Sequence, residues 1–541
     1  MKKLSCLLLC AALALCCLSG CSSEQQAPAK NSIPVFDVEP DITTALQAGY
    51  INVKDHGAVG DDKADDAPAL TAAVAAIEQA GGAGTLWFPS GVYRLASNWT
   101  LPLGIECVFE KGASLNVASS TATVTFNGAV TAGFHTVFSG EDFKGQLDNE
   151  QVFPQWFGAV GDGKTEDTMA FVKALGHTRD LALPNTAGGY LLGRVTVPYM
   201  TRVHGYNGKA ATIYGTKDTN CIFEFVDGSN QSVAYDLIFR MASCDTGACF
   251  FFNSAAVQQL THVELYNIWT EGAYTVVKDA HIKGAILSDI VVRDLLALNS
   301  RGIAFDTDNF WGFCFLRDSV FDQSGVNAAY GDKAGNCPVI QIGDNAGFII
   351  QNNVVIGSGN RNNSKEIGFD YVNNVATWMD NCEVRSTGSH AFRISGGSHL
   401  YFSNVRAKDM FGDGFFIAGA LQTQAMNLQV TGRAKQNDCP DVQHGIRITN
   451  SIDSQFDNLS VADISGNGML LTGTGNALTR IDIQNSTRVG LISSGEQTVI
   501  SGITVAGSPK ANIQLFSEKA MLTNAVIGGK KYDCIKDVGN Y

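Results

Sequence analysis

The chain of 541 residues is predicted to be all-β, a right-handed parallel β-helix with short capping helices on its N-terminal side. Three observations predict it: a repeat of 22–23 residues, turn-prone residues at matching points of successive repeats, and a duplicated glycine- and aspartate-rich motif. The repeat is plainest near the C-terminus. Gly445-Ile-Arg-Ile, Gly468-Met-Leu-Leu, Gly490-Leu-Ile-Ser and Asn512-Ile-Gln-Leu begin 23, 22 and 22 residues apart. Ala391-Phe-Arg-Ile and Gly414-Phe-Phe-Ile also begin 23 apart. Each short apolar strand is followed by a polar turn and a second strand, as in residues 402–409 and 456–463. Asp409, Asp463, Asn485 and Gly507 fall at equivalent points, and Gly414, Gly468, Gly490 and Asn512 stand five residues further on. Left-handed or tightly turned backbone is expected at these places. A period in the low twenties with several strands per repeat suits a parallel β-helix coil, and the leucine-rich-repeat frame is absent.

From the N-terminus, Lys2 and Lys3 precede an apolar run, Leu4 to Leu18, too short to span a bilayer as a permanent helix. The run ends in Leu18-Ser19-Gly20-Cys21, which resembles the bacterial lipobox. That resemblance implies that residues 1–20 are a signal peptide and that the Cys21 thiol carries a lipid. It implies a protein exported and anchored to the cell envelope, at the outer membrane or cell surface. Residues 21–34 are small and polar and suit a flexible tether. A net charge of −14 argues against nucleic acid as a main partner. It leaves room for an acidic polysaccharide held by a local basic patch or a bound cation. Of 14 cysteines, nine follow the export segment, without metal-type spacing, and most read as buried thiols. Cys244 and Cys249 are close enough in sequence to close a small disulfide loop.

Residues 51–66, INVKDHGAVGDDKADD, lead into an Ala-rich helical pattern, a glycine break and the strand TLWFPSGVYRL. Asp65 and Asp66 stand where carboxylates cap helix N–H groups, a structural role. A helix there would cover the open end of a solenoid. The order of elements resembles the start of the pectate-lyase-like superfamily, which includes rhamnogalacturonases, polygalacturonases and tailspikes. The motif recurs: Gly57-Ala58-Val59-Gly60-Asp61 and Gly158-Ala159-Val160-Gly161-Asp162 lie 101 residues apart. Two units are therefore expected, a strand-rich one at 35–150 and the main β-helix at 151–541. Residues 433–444 form an extra polar stretch within one coil, expected as an extruded loop of the kind that lines binding grooves. No tail resembling a trimerisation segment follows, so a monomer is the default, with a trimer left open.

The resemblance implies polysaccharide as partner and brings two chemistries. Polygalacturonase-like members use clustered aspartates as general acid and base. Asp306-Thr307-Asp308 partly echoes their pattern, with Asp306 and Asp308 as candidates, but Gly-His-Gly and Arg-Ile-Lys are absent. A solvated turn accounts for the two aspartates equally well. Alternatively, β-elimination on a uronate polymer needs Ca²⁺ or basic side chains. For this, Arg385, His390, Arg393, Arg406 and Lys408 are candidates, with Arg393, Arg406 and Lys408 expected to point outward by strand alternation. Trp311, Trp378, Tyr330 and Tyr401 are candidates for sugar stacking. No metal motif appears. The rival class is a non-catalytic glycan-binding or adhesive lipoprotein.

Overall fold

A computed structural model describes residues 37, 39–40, 42, 49–242, 247–255, 258–326, 337–360, 365–432, 443–516, 520–535 and 539–540. The export segment, Cys21, the tether, Cys244, Tyr330, Cys439 and most of the 433–444 loop lie outside the described residues. The fold is a parallel β-helix. Its strand-to-strand crossovers take the right-handed sense that strand twist favours. Among the described residues only two α-helices occur, α1 (Ala67–Gln79) and α2 (Thr168–His177).

The first stack runs from Ile51 to Gly140 and comprises sheets of four, three and two parallel strands. Helix α1 buries Leu70, Ala73, Val74 and Ile77 and packs against the strands at 51–52, 84–88 and 99–101. The main stack begins at Asp162, with one sheet of 23 strands and another of 14. Helix α2 lies between the two stacks. Its Lys173 Nζ donates to the Gly140 carbonyl (3.0 Å), and Gln146 Nε2 donates to the Gly176 carbonyl (2.7 Å). The His177 ring at its C-terminus stacks 3.8 Å from Phe143 and 5.7 Å from Phe157.

The duplicated motif repeats bond for bond. Asp66 accepts the Val59 and Gly60 N–H groups at 2.6 and 3.2 Å, and Asp167 accepts those of Val160 and Gly161 at the same two distances. This corrects the capping expectation for Asp66, whose carboxylate makes no cap bond and instead ties the preceding loop to Arg94 N–H. Only Asp65 bonds a helix N–H, that of Ala67.

The repeat register is as expected. Phe392 pairs with Phe415, and Ile446, Met469, Leu491 and Ile513 follow one another across the 14-stranded sheet. Asp409, Asp463, Asn485 and Gly507 are left-handed, with φ between +55° and +74°. Gly414, Gly468 and Gly490 are not. A Cβ at Gly490 would sit 2.2 Å from Val505 Cγ1 and 2.4 Å from the Asn512 carbonyl, so glycine serves close approach there. A regular coil thus has one strand in the 14-stranded sheet (Phe392–Ser395) and two in the other (Tyr401–Ser403 and Arg406–Lys408). Left-handed Asn404 and Asp409 make the bends, so the outward residues of the three strands face three directions. Cys107, Cys221, Cys314 and Cys382 are buried, and Cys337 is partly so.

Candidate functional site

The 14-stranded sheet brings Asp306 and Asp308 together with two residues that no motif singles out, Asp279 and His281. Strands Thr275–Asp279 and Phe305–Thr307 are neighbours, with Lys278 opposite Asp306. His281 Nε2 lies 3.2 Å from both Asp279 Oδ1 and Asp306 Oδ1, and Nδ1 lies 2.7 Å from Asp308 Oδ2. The Nε2 contacts are ion-pair contacts rather than well-directed hydrogen bonds. Lys278 Nζ approaches Asp306 Oδ2 at 3.9 Å. Asp279 is the buttress: its Oδ2 accepts the Asp308 N–H and the Asn309 amide, both at 3.1 Å, and its Oδ1 accepts the His281 N–H at 3.1 Å.

Exposure sorts the three acids. Asp279 is 1% exposed, whereas the Asp308 side chain keeps 30% of its surface open. Gly343, in the next coil, leaves Asp308 its place, since a Cβ there would fall 2.4 Å from Asp308 Oδ1. The Asp306 and Asp308 carboxylates, ahead of all else, push the His281 imidazole up to about 10, so it is an imidazolium at neutral pH. Burial raises the Asp279 carboxyl despite that cation. Trp311 follows three residues after Asp308 and is 47% exposed. One signal in the sequence could have found the group: Lys278-Asp279-Ala280-His281 stands one coil before Asp306-Thr307-Asp308, offset by 28 residues.

A second cluster lies further along the same sheet. Arg393 points outward between Phe392 and Ile394, as expected, but is held by Asp370 in a two-pronged pair whose Nε arm is 2.7 Å. His390 Nδ1 accepts the Asp413 N–H at 3.0 Å, and Asp413 Oδ2 pairs with Arg447 at 2.6 Å. Arg447 lies 4.0 Å over the Phe416 ring. Burial lifts the Asp413 carboxyl to about 6, and burial beside Arg447 lowers His390 to about 4. The basic groups here are therefore neutral (His390) or already paired (Arg393, Arg447).

Arg385, Arg406 and Lys408 lie on the other sheet, exposed, with Glu383 beside Arg406 and Arg385 beside Lys408 in neighbouring coils. The bend at Asp409 turns them away from His390 and Arg393, so the expected basic cluster is divided between two faces. Trp378 and Tyr401 occupy a third face, where their rings stack at 5.3 Å. Among the described residues no group of three or more His, Cys, Asp or Glu side chains is arranged to hold a metal ion. None of their helices is long and apolar enough to cross a membrane.

The family model described as rhamnogalacturonase A/epimerase, pectate lyase-like, matches residues 50–149. That match takes in the first stack and stops before the second motif. Tailspike protein 3 of bacteriophage CBA120 shares the fold with a TM-score of 0.50 at 13% identity, over 70% of this chain and 61% of the tailspike. A mannuronan C5-epimerase of Azotobacter vinelandii is 50% identical over 51 residues, 9% of this chain and 3% of the epimerase. Plasmin and fibronectin-binding protein A of Streptococcus pneumoniae is 29% identical over 187 residues, 31% of this chain and 22% of that protein. The chain therefore spans less than a quarter of the length of these two curated relatives, and less than two thirds of the tailspike.

Proposed function

We propose that the protein hydrolyses glycosidic bonds of a polysaccharide outside the cytoplasm, tethered to the cell envelope by a lipid on Cys21. The observation that carries this reading is the convergence of Asp279, Asp306 and Asp308 on one imidazolium at a sheet face. Hydrolysis needs one carboxyl group to protonate the leaving oxygen and one carboxylate to take a proton from the attacking water. Asp308, the most open, meets the substrate, and Asp306 beside it is the second group. His281 and the buried Asp279 are positioning residues that hold the pair in place. Three carboxylates would repel a uronate, and Arg393 and Arg447 are already paired, which disfavours β-elimination here. The similarity to a mannuronan epimerase and to phage tailspikes supports polysaccharide as the partner.

The test is incubation of the protein with a polysaccharide panel, reading reducing ends and absorbance near 235 nm. Reducing ends without absorbance are expected, with Asp306→Asn and Asp308→Asn each reducing the rate by about 10²–10⁴-fold. Rising absorbance, or full activity in both variants, would sink the assignment. The similarity to the plasmin- and fibronectin-binding protein supports one second reading, a non-catalytic adhesin. Silence on every polymer together with retention on immobilised fibronectin or glycans would favour it.

A further inference from the structure

The 23-stranded sheet carries a different patch, about 14 Å along the axis from the acidic cluster at one rung per coil. His399, Tyr401, Gln422, Gln424, Asp453 and Gln455 line a shallow depression of about 290 Å³ across three consecutive coils. The Tyr401 ring lies parallel to that of Trp378, at 6°, which extends the aromatic surface by one more coil.

The state of the polar groups sets this patch apart. At the next bend of the same coils the amides are tied to one another: Asn427 donates to Asn404 at 2.8 Å, and Asn458 donates to Asn427 at 2.7 Å. Among the described residues, none of the six side chains lining the depression has such a partner. Three of them, His399, Gln422 and Asp453, stand at left-handed bends with φ of +55°, +51° and +49°. The neighbouring bend fills the same conformation with asparagine in all three coils, at Asn404, Asn427 and Asn458. A ladder of satisfied amides explains the asparagine row but not this one.

An aromatic face rimmed by amide and imidazole groups matches a pyranose, whose C–H face stacks on the ring while its hydroxyls exchange hydrogen bonds with the rim. No Lys or Arg lines the depression, and Asp453 is its one carboxylate, so the match is to a neutral sugar rather than a uronate. We infer that this face is a second glycan-binding surface, separate from the acidic cluster and selective for neutral hexose units. It rests on the reading that a polysaccharide is the partner, and narrows that partner to a polymer with neutral residues.

The test uses native gels cast with glucomannan, dextran or polygalacturonate, run with the chain carrying Asp306→Asn so that no polymer is cut. Retardation is expected in at least one neutral gel. Tyr401→Ala should weaken it about tenfold, with Arg406→Ala unchanged as a control on another face. Should Tyr401→Ala fail to fold, the exposed double variant Gln424→Ala/Gln455→Ala carries the same expectation. Retardation by polygalacturonate alone, or full neutral-gel retardation in both variants, overturns the surface. If those variants bind as wild type while the polymers are cleaved, only this inference falls. If the wild type neither binds nor cleaves any polymer, the polysaccharide reading falls with it.

Discussion

At the residue scale, His281 holds the acidic cluster together. Its usual value is 6.5 and it is pushed up to about 10, so the stability it lends is whole below pH 6.5 and is lost as pH rises towards 10. Unfolding followed by denaturant between pH 6 and 10 should show this alkaline decline, and His281→Gln should flatten it. A decline of equal size in the variant would mean that the imidazolium is not its source. His390 and Asp413 act in the acid range and oppose one another. Lowering of His390 costs stability as pH falls from 6.5 towards 4, whereas the raised Asp413 favours folding as it protonates below about 6. Gly343 tests positioning: Gly343→Ala should displace Asp308 and lower kcat with the melting temperature little changed, because the obstructed atom is the end of a partly exposed side chain.

At the element scale, the two loop-and-helix motifs are the same device built twice. Each spends one buried aspartate on two loop N–H groups, with Asp66 1% and Asp167 2% exposed. Orphaning a buried N–H costs about 1–3 kcal/mol. Asp66→Ala and Asp167→Ala should therefore each destabilise by at least that much in denaturant unfolding, whereas Asp61→Ala, on an exposed carboxylate, should have a smaller effect. Equal effects at all three positions would show that burial is not what gives these aspartates their weight. Asp61 and Asp162 serve the same loops, each accepting the N–H groups two and three residues on.

For the whole molecule, the question is how the two stacks are joined. Phe143 packs against Phe126, Phe138, Phe157 and His177, so it belongs to both. Phe143→Ala should cost about 3–5 kcal/mol at this junction. Because solenoid coils contact only their neighbours, the loss should appear as faster amide exchange in residues 105–140 and little change beyond residue 250. Uniformly faster exchange along the chain would instead mean that both stacks unfold as one cooperative unit.

The β-helix was legible in the sequence because a solenoid writes its period along the chain. Gly445, Gly468 and Gly490 recur at coil length, and the paired motifs at 57–61 and 158–162 announce both helices. Strand alternation also placed Arg393, Arg406 and Lys408 outward correctly. Alternation cannot say which of three faces an outward residue occupies. That depends on the bends at residues such as Asn404 and Asp409, which send Arg393 and Arg406 in different directions. Nor does it show that residues 28 positions apart are neighbours unless the register is known, and so Asp279 and His281 stayed hidden beside Asp306. The sequence by itself determined the coil, its caps and its outward residues, because these follow from local periodicity. Only the tertiary structure decided which of those residues share a site, because coil stacking brings distant positions within one rung, about 5 Å, of each other.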